Sequence, residues 1–125
     1  MIKLSKSKEI LRQLNGEEIV DYHHKIMLSD VECGNIVYNV TDYGVFLKAI
    51  NIEYKFRRKG IATYAINLLK NSFNDKLFIG GVTTPDSEAI SFWSSLGADF
   101  DSELNTLKRK NISFCIPTRK IEYFI

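Results

Sequence analysis

The 125-residue chain is 45% hydrophobic and 26% charged with only two prolines, a composition that predicts a single globular domain spanning residues 1–125. A net charge of +2 excludes a general affinity for nucleic acid or membrane surfaces. The N-terminus MIKLSKSKEI lacks a signal-peptide core, no run approaches the roughly 18 apolar residues of a membrane span, and Cys33 and Cys115 stand far apart without a CxxC, so a cytoplasmic protein with two buried thiols and no metal site is expected.

Taken in chain order, Ser5 or Ser7 is a candidate cap for a short N-terminal helix carrying Ile10, Leu11 and Leu14, with Asn15-Gly16 as its stop. Ile19 to Ser29 reads as a strand. Cys33-Gly34-Asn35 looks turn-like, and Ile36, Tyr38 and Val40 then alternate with Val37 and Asn39 in a second strand. Asp42-Tyr43-Gly44 turns the chain into a third, Val45 to Ile52. No repeat, low-complexity tract or linker interrupts the pattern.

The strand VFLKAINI breaks into the basic turn EYKFRRKG, and a helical period resumes with Ile61, Ala62, Ala65, Ile66, Leu68, Leu69 and Phe73. Lys55, Arg57, Arg58 and Lys59 stand just ahead of Gly60, where a helix start offers free N–H groups, a positive dipole end and a point of close approach. Such a corner suits a phosphate. Neither G-x-x-x-x-G-K-[ST] nor G-x-G-x-x-G is present, so nucleoside-triphosphate and dinucleotide loops are not supported. A short strand, Leu77 to Val82, follows, then Thr83-Thr84-Pro85-Asp86 and a helix from Ser87 to Leu96 ending at Gly97. Ala98 to Ser102 and Ile112 to Pro117 read as strands flanking the polar, basic stretch Glu103 to Asn111, and Ile121 to Ile125 is β-prone.

Arg57, Gly60 and Ala62 fill the fixed positions of R/Q-x-x-G-x-G/A, and Ala89, Phe92 and Gly97 fit N-x-x-A-x-x-F-Y-x-x-x-G-F. In this order, with one strand between them, the two motifs resemble those of the GNAT superfamily of acyl-CoA N-acyltransferases over roughly Val45 to Phe100. The resemblance implies an α+β fold: a mixed, mostly antiparallel twisted sheet with helices on both faces, here with a shortened N-terminal part. It also implies acetyl-CoA as co-substrate and an amine of a small molecule or protein as acceptor. The backbone of Ile50 and Ile52 would meet the pantetheine arm, and the N–H groups from Arg58 through Lys59, Gly60, Ile61 and Ala62 to Thr63 would hold the pyrophosphate. Lys55, Arg57, Arg58 or Lys59 would meet the 3'-phosphate. Ala89 and Phe92 would flank the cofactor, with Asp86 where the family has Asn; Asp86 reads equally as a helix N-cap.

An acyl thioester is already activated, so a positioned neutral amine attacks it directly. Trp93 occupies the place of a family Tyr thought to protonate the leaving thiolate, and an indole N–H cannot supply that proton. Tyr38, Tyr43 and Tyr123 are substitutes that the sequence does not rank, so the catalytic residues stay unassigned. Glu53, Asp30, Glu32 and Asp42 read as solvated carboxylates before they read as bases. His23 and His24, adjacent in a strand, point to opposite faces. The cluster Lys108-Arg109-Lys110 with Arg119-Lys120 reads as a solvated loop rather than a nucleic-acid surface. A catalytically idle CoA-binding module is the alternative function, and an apolar sheet face left bare by the short N-terminus invites a homodimer.

Overall fold

The computed structural model describes residues 1–101 and 111–118. Its strands are β1 (Ile2–Leu4), β2 (Lys8–Leu14), β3 (Glu17–Leu28), β4 (Val31–Val40), β5 (Gly44–Ile52), β6 (Phe78–Thr83), β7 (Asp99–Phe100) and β8 (Ile112–Pro117), and its helices are α1 (Ile61–Ser72) and α2 (Ser87–Ser95). They form a single sheet in the order β1-β3-β4-β5-β6-β8-β7, with β2 also paired to β3. Among the described residues only β5 and β6 run parallel, joined by α1 as a crossover. The expected mixed, mostly antiparallel sheet is present.

The N-terminal segment departs from expectation. Instead of a helix, Lys8–Leu14 is a strand, and five strands rather than three precede the basic turn. Leu14 pairs with Glu17 across Asn15-Gly16, whose φ values of 52° and 81° make the primed two-residue turn that suits a twisted hairpin. Asn-Gly thus acts as a hairpin signal here, not as a helix stop. Ile10, Leu11 and Leu14 are 40%, 58% and 49% exposed, so no core stripe holds them in a helix. Cys33-Gly34-Asn35 is likewise inside β4, and the turn falls at Ser29-Asp30, with Ser29 at φ 54°. Cys33 is the unmatched residue of a bulge, its buried thiol donating to the Ile26 carbonyl. Cys115 is half-buried rather than buried.

Directly opposed residues share a sheet face. One face therefore carries Tyr38, Leu47, Gly81 and Phe114, which oppose one another in turn across β4, β5, β6 and β8. Both helices pack on it. Phe73, the residue that ends α1, meets Tyr38 edge-on at 5.6 Å, and Trp93 of α2 stacks on Phe114 at 4.1 Å. The core is Ile26, Ile36, Val45, Ile79 and Ile116 from the sheet with Ile61, Ala65, Ile66 and Leu69 from α1. Helices on both faces are thus realised on one face only among the described residues. The opposite face holds Ile10, Asp21, Asn39, Phe46 and Gly80 in a row, and Phe46 there is 42% exposed.

Among the described residues no helix is long and apolar enough to cross a membrane, and no group of three His, Cys, Asp or Glu is placed to hold a metal. The basic cluster Lys108–Lys110 with Arg119 and Lys120, the stretch Ile121–Ile125 and Tyr123 lie outside the described residues.

Candidate functional site

The parallel pairing of β5 and β6 stops at Leu47 and Gly81, although β5 runs on to Ile52 and β6 to Thr83. The two strands part, leaving the later half of β5 without a neighbour on that side among the described residues. A bulge at the same point explains the divergence: Tyr38 opposes Leu47 and Val37 opposes Ala49, so Lys48 is an extra residue that locally increases the twist.

Beyond Ile52 the chain makes one 3₁₀ turn, Tyr54–Phe56, then two left-handed residues, Arg58 at φ 63° and Gly60 at φ 75°, before α1 begins. Gly60 is the N-cap, and no side chain caps the helix, so the N–H groups of Ile61, Ala62 and Thr63 lack partners within it. A Cβ built on Gly60 meets nothing within 4 Å, so the space beside it is open. The start of α1 is therefore an uncapped, positively polarised end facing free volume. Arg57 does not reach outward: its Nε donates to the Ile52 carbonyl at 3.0 Å, and its guanidinium lies 5.8 Å from the Tyr54 ring. It fastens the turn to the end of β5.

The second helix is capped. Asp86 accepts from the Ala89 N–H at 2.9 Å and from the Thr84 hydroxyl, and these two bonds, Thr84's first, hold its carboxyl below the usual carboxylate range. The cap reading is what the geometry delivers, and Asp86 remains at the site wall.

Between the end of β5, the start of α1 and the first turns of α2 lies a cleft of about 1070 Å³. Ile50 and Ile52 form its strand wall, Arg57, Arg58, Gly60, Ile61, Ala62 and Thr63 its turn, and Asp86, Ala89 and Phe92 its far side. Lys55 and Lys59 are the two sequence-expected residues outside the lining, their ammonium groups sitting 5.2 Å and 5.9 Å from the Phe56 ring. Sequence reasoning missed Asn51, Tyr54, Phe56 and Glu88, which line the cleft, as does Trp93, the residue singled out at the place of the family Tyr. The aromatics interleaved with cations in EYKFRRK were the available signal for Tyr54 and Phe56.

A second, smaller cavity of about 150 Å³ fills the gap where β5 and β6 part, lined by Leu47, Lys48, Ala49, Ile50, Val82, Trp93 and Phe114. Trp93 and Ile50 line both cavities, which are therefore neighbours. Gly81 makes room for the wall, since a Cβ there would come within 2.7 Å of the Phe114 ring. Trp93 is 7% exposed, stacks on Phe114, meets Phe92 edge-on at 4.9 Å and donates Nε1–H to the Thr83 hydroxyl at 3.1 Å. Its polar atom is therefore committed to the fold.

The remaining acid and base candidates lie elsewhere. Tyr38 is buried beneath α1, and burial first, then Tyr22 beside it, push its phenol up to about 12. The Ser5 carbonyl accepts from His24 Nδ1 at 2.7 Å, and His24 Nε2 lies 2.8 Å from the Tyr38 hydroxyl, so the pair forms a closed structural link. Adjacent His23 falls on the other face, as alternation requires. Tyr43, Glu53, Asp30, Glu32 and Asp42 line neither cavity. Asp21, which sequence reasoning passed over, is 4% exposed on the open face, where its Oδ2 accepts from Arg12 Nε and Lys48 Nζ, each at 2.8 Å.

No protein-family model matches the chain, and no curated protein matches it in sequence. Solved structures match it in shape. An acetyltransferase from Thermus thermophilus superposes with a TM-score of 0.66 at 12% identity, covering 78% of this chain and 64% of its own. The ribosomal-protein-S18-alanine N-acetyltransferase of Escherichia coli gives 0.66 at 15% identity over 82% and 74%. A Bacillus subtilis acetyltransferase in complex with CoA gives 0.63 at 13% identity over 78% and 76%. The fold is that of the GNAT acetyltransferases. The chain spans 64% of the length of the Thermus protein.

Proposed function

We propose that the protein is an acyl-CoA-dependent N-acyltransferase that moves an acetyl group from acetyl-CoA to a primary amine. The observation that carries this reading is the uncapped start of α1 opening, beside Gly60, into a cleft continuous with the parted strands. Four of its features fit the donor. The N–H groups from Arg58 to Thr63 suit a diphosphate. Arg58, with Lys55 and Lys59 at the rim, suits a further phosphate. The unpaired edge of β5 at Ile50 and Ile52 offers main-chain partners to an amide-containing arm. Ala89 and Phe92 give that arm an apolar wall. The Bacillus subtilis neighbour was solved in complex with CoA, which supports the same donor here.

The chemistry asks little of the side chains. A neutral amine entering the gap between β5 and β6 attacks the thioester carbonyl; the C–N bond forms, the C–S bond breaks, and the amine proton leaves to solvent. Free N–H groups on the unpaired stretch of β5 are suited to stabilise the developing oxyanion. Trp93 gives the leaving sulfur no proton, because its N–H is held by Thr83, and a thiol of pKa near 8.5 departs as thiolate without one.

That same commitment of Trp93, together with a cleft whose only carboxylates among the described residues are the cap Asp86 and Glu88, favours one alternative: a module that binds CoA without turning it over. One experiment separates the two. Acetyl-CoA should raise the melting temperature under both readings, whereas thiol release that depends on an added amine occurs only for the enzyme. No thermal response to acetyl-CoA overturns both.

A further inference from the structure

We propose that the acceptor is an amine bearing a carboxylate, that it enters from the helix-free face of the sheet, and that Arg12 and Lys48, posted there by Asp21, hold its carboxylate; this rests on the acyltransferase reading. The small cavity is lined from both faces of the sheet. Phe114 and Trp93 bound it on the helical face, while Lys48 and Val82 belong to the opposite face, the one that carries Phe46 and Gly80. The donor cleft occupies the helical side, so among the described residues the open face is the free approach to the same gap.

What stands on that approach is a built charge cluster. Asp21, opposed to Asn39 in a row that continues to Phe46, is buried, while the side chains of Arg12 and Lys48 remain 32% and 40% exposed. Both cations converge on Oδ2, and Oδ1 has no hydrogen-bond partner. One carboxylate against two cations leaves a net positive charge on the open face, reaching the gap through Lys48. Arg12 meets Asp21 through Nε alone, so the terminal amino groups of its guanidinium stay available, among the described residues, for the two-pronged grip that suits a carboxylate. Lys48 connects the parts: as the extra residue of the β5 bulge it lines the cavity, and its ammonium reaches across β4 to Asp21. β3 and β5 are two strand spacings apart, roughly 10 Å, and the ammonium lies between them. The amine and carboxylate of the acceptor should therefore be about 5–10 Å apart, as in an ω-amino acid with a chain of several carbons.

Trp93, the only tryptophan, lines both cavities and reports on each by fluorescence. 5-Aminopentanoate should be acetylated with a kcat/KM at least about tenfold above that of pentylamine. Lys48→Met leaves Asp21 neutralised by Arg12 and should bring the ratio near one, while the fluorescence response to acetyl-CoA, whose cleft Lys48 does not line, persists. Lys48→Arg should keep the preference. A merely structural ion cluster would lower the melting temperature of Lys48→Met and leave the ratio intact. That result, or equal rates for the two amines in the wild type, overturns the proposal while the donor reading stands. A wild-type protein without any acetyl-CoA response removes the donor reading, and this proposal with it.

Discussion

Replacing Gly60 by valine isolates the corner on which donor binding rests. The residue sits at φ 75°, where an L side chain costs about 1–2 kcal/mol and a β-branched one lies at the upper end of that range. No protein atom lies within 4 Å of the added Cβ, so the folding cost stays near ~2 kcal/mol. With an unfolding entropy of about 0.26 kcal/mol/K for 125 residues, that lowers the melting temperature by roughly 8 °C. Acetyl-CoA at a hundred times its dissociation constant stabilises the wild type by about 2.7 kcal/mol, or roughly 10 °C on the same scale. In Gly60→Val this second shift should vanish, because the new methyl groups project into the open space beside the helix start. Gly16→Val is the control. Gly16 has φ 81° and an equally empty surround but lies in the β2–β3 hairpin, so its variant should show the same backbone cost and the full ligand shift. A Gly60→Val protein that retains the roughly 10 °C response to acetyl-CoA would refute the phosphate corner.

Trp93→Ala should cost about 3–5 kcal/mol by urea denaturation, since it removes a buried ring stacked on Phe114 and leaves Thr83 without its donor; a loss under about 1 kcal/mol would mean the ring is not a core element. Tyr38 binds its proton up to about 12 in the folded protein against about 10 when unfolded, so the unfolded chain deprotonates first and stability should fall by about 2–3 kcal/mol between pH 10 and 12; Tyr38→Phe should abolish that slope. For Asp21, burial works to raise the pKa, yet the hydrogen bonds from Lys48 and Arg12 prevail and hold it below 3.8. Its contribution is thus fully present above pH ~4 and lost as pH falls through the depressed value, and Asp21→Asn should flatten the acid limb of a stability–pH curve.

The corner at the start of α1 was legible in the sequence because local chemistry decides it. A glycine ahead of an apolar helical period, preceded by cations, specifies an uncapped helix start wherever it occurs, and Gly60 with Arg57 and Ala62 forms one. Asp86, three residues before Ala89, reads as a cap by the same local logic. The N-terminal third was misread because its elements are settled by pairing across the sheet. Ile10, Leu11 and Leu14 fit a helical stripe as well as a strand, and only the closure of Asn15-Gly16 onto Glu17, with β3 waiting as a partner, selects the hairpin. Gly34 resembled a turn residue, yet it is glycine because a Cβ would come within 2.1 Å of the Asn51 carbonyl on β5. Asp21, Arg12 and Lys48 come from β3, β2 and β5, so no linear pattern announces them.

With both described helices on one face, the sheet itself becomes the partition between two approaches. The wide cleft at the head of α1 is deep enough for a long, phosphorylated donor and is walled by Trp93 where it meets the gap. Among the described residues the face beyond offers strand side chains only, and where β5 and β6 separate Lys48 stands charged beside the apolar Val82. A sheet surface built solely for a second copy of the chain would gain little from burying Asp21 there, since desolvating an ion cluster offsets most of its attraction. Holding two exposed cations at fixed positions beside an opening is a different task. In the proposed enzyme that task is to order a short polar acceptor toward the thioester, with the stretch of β5 from Lys48 to Ile52, which lines both cavities, lying between the two substrates.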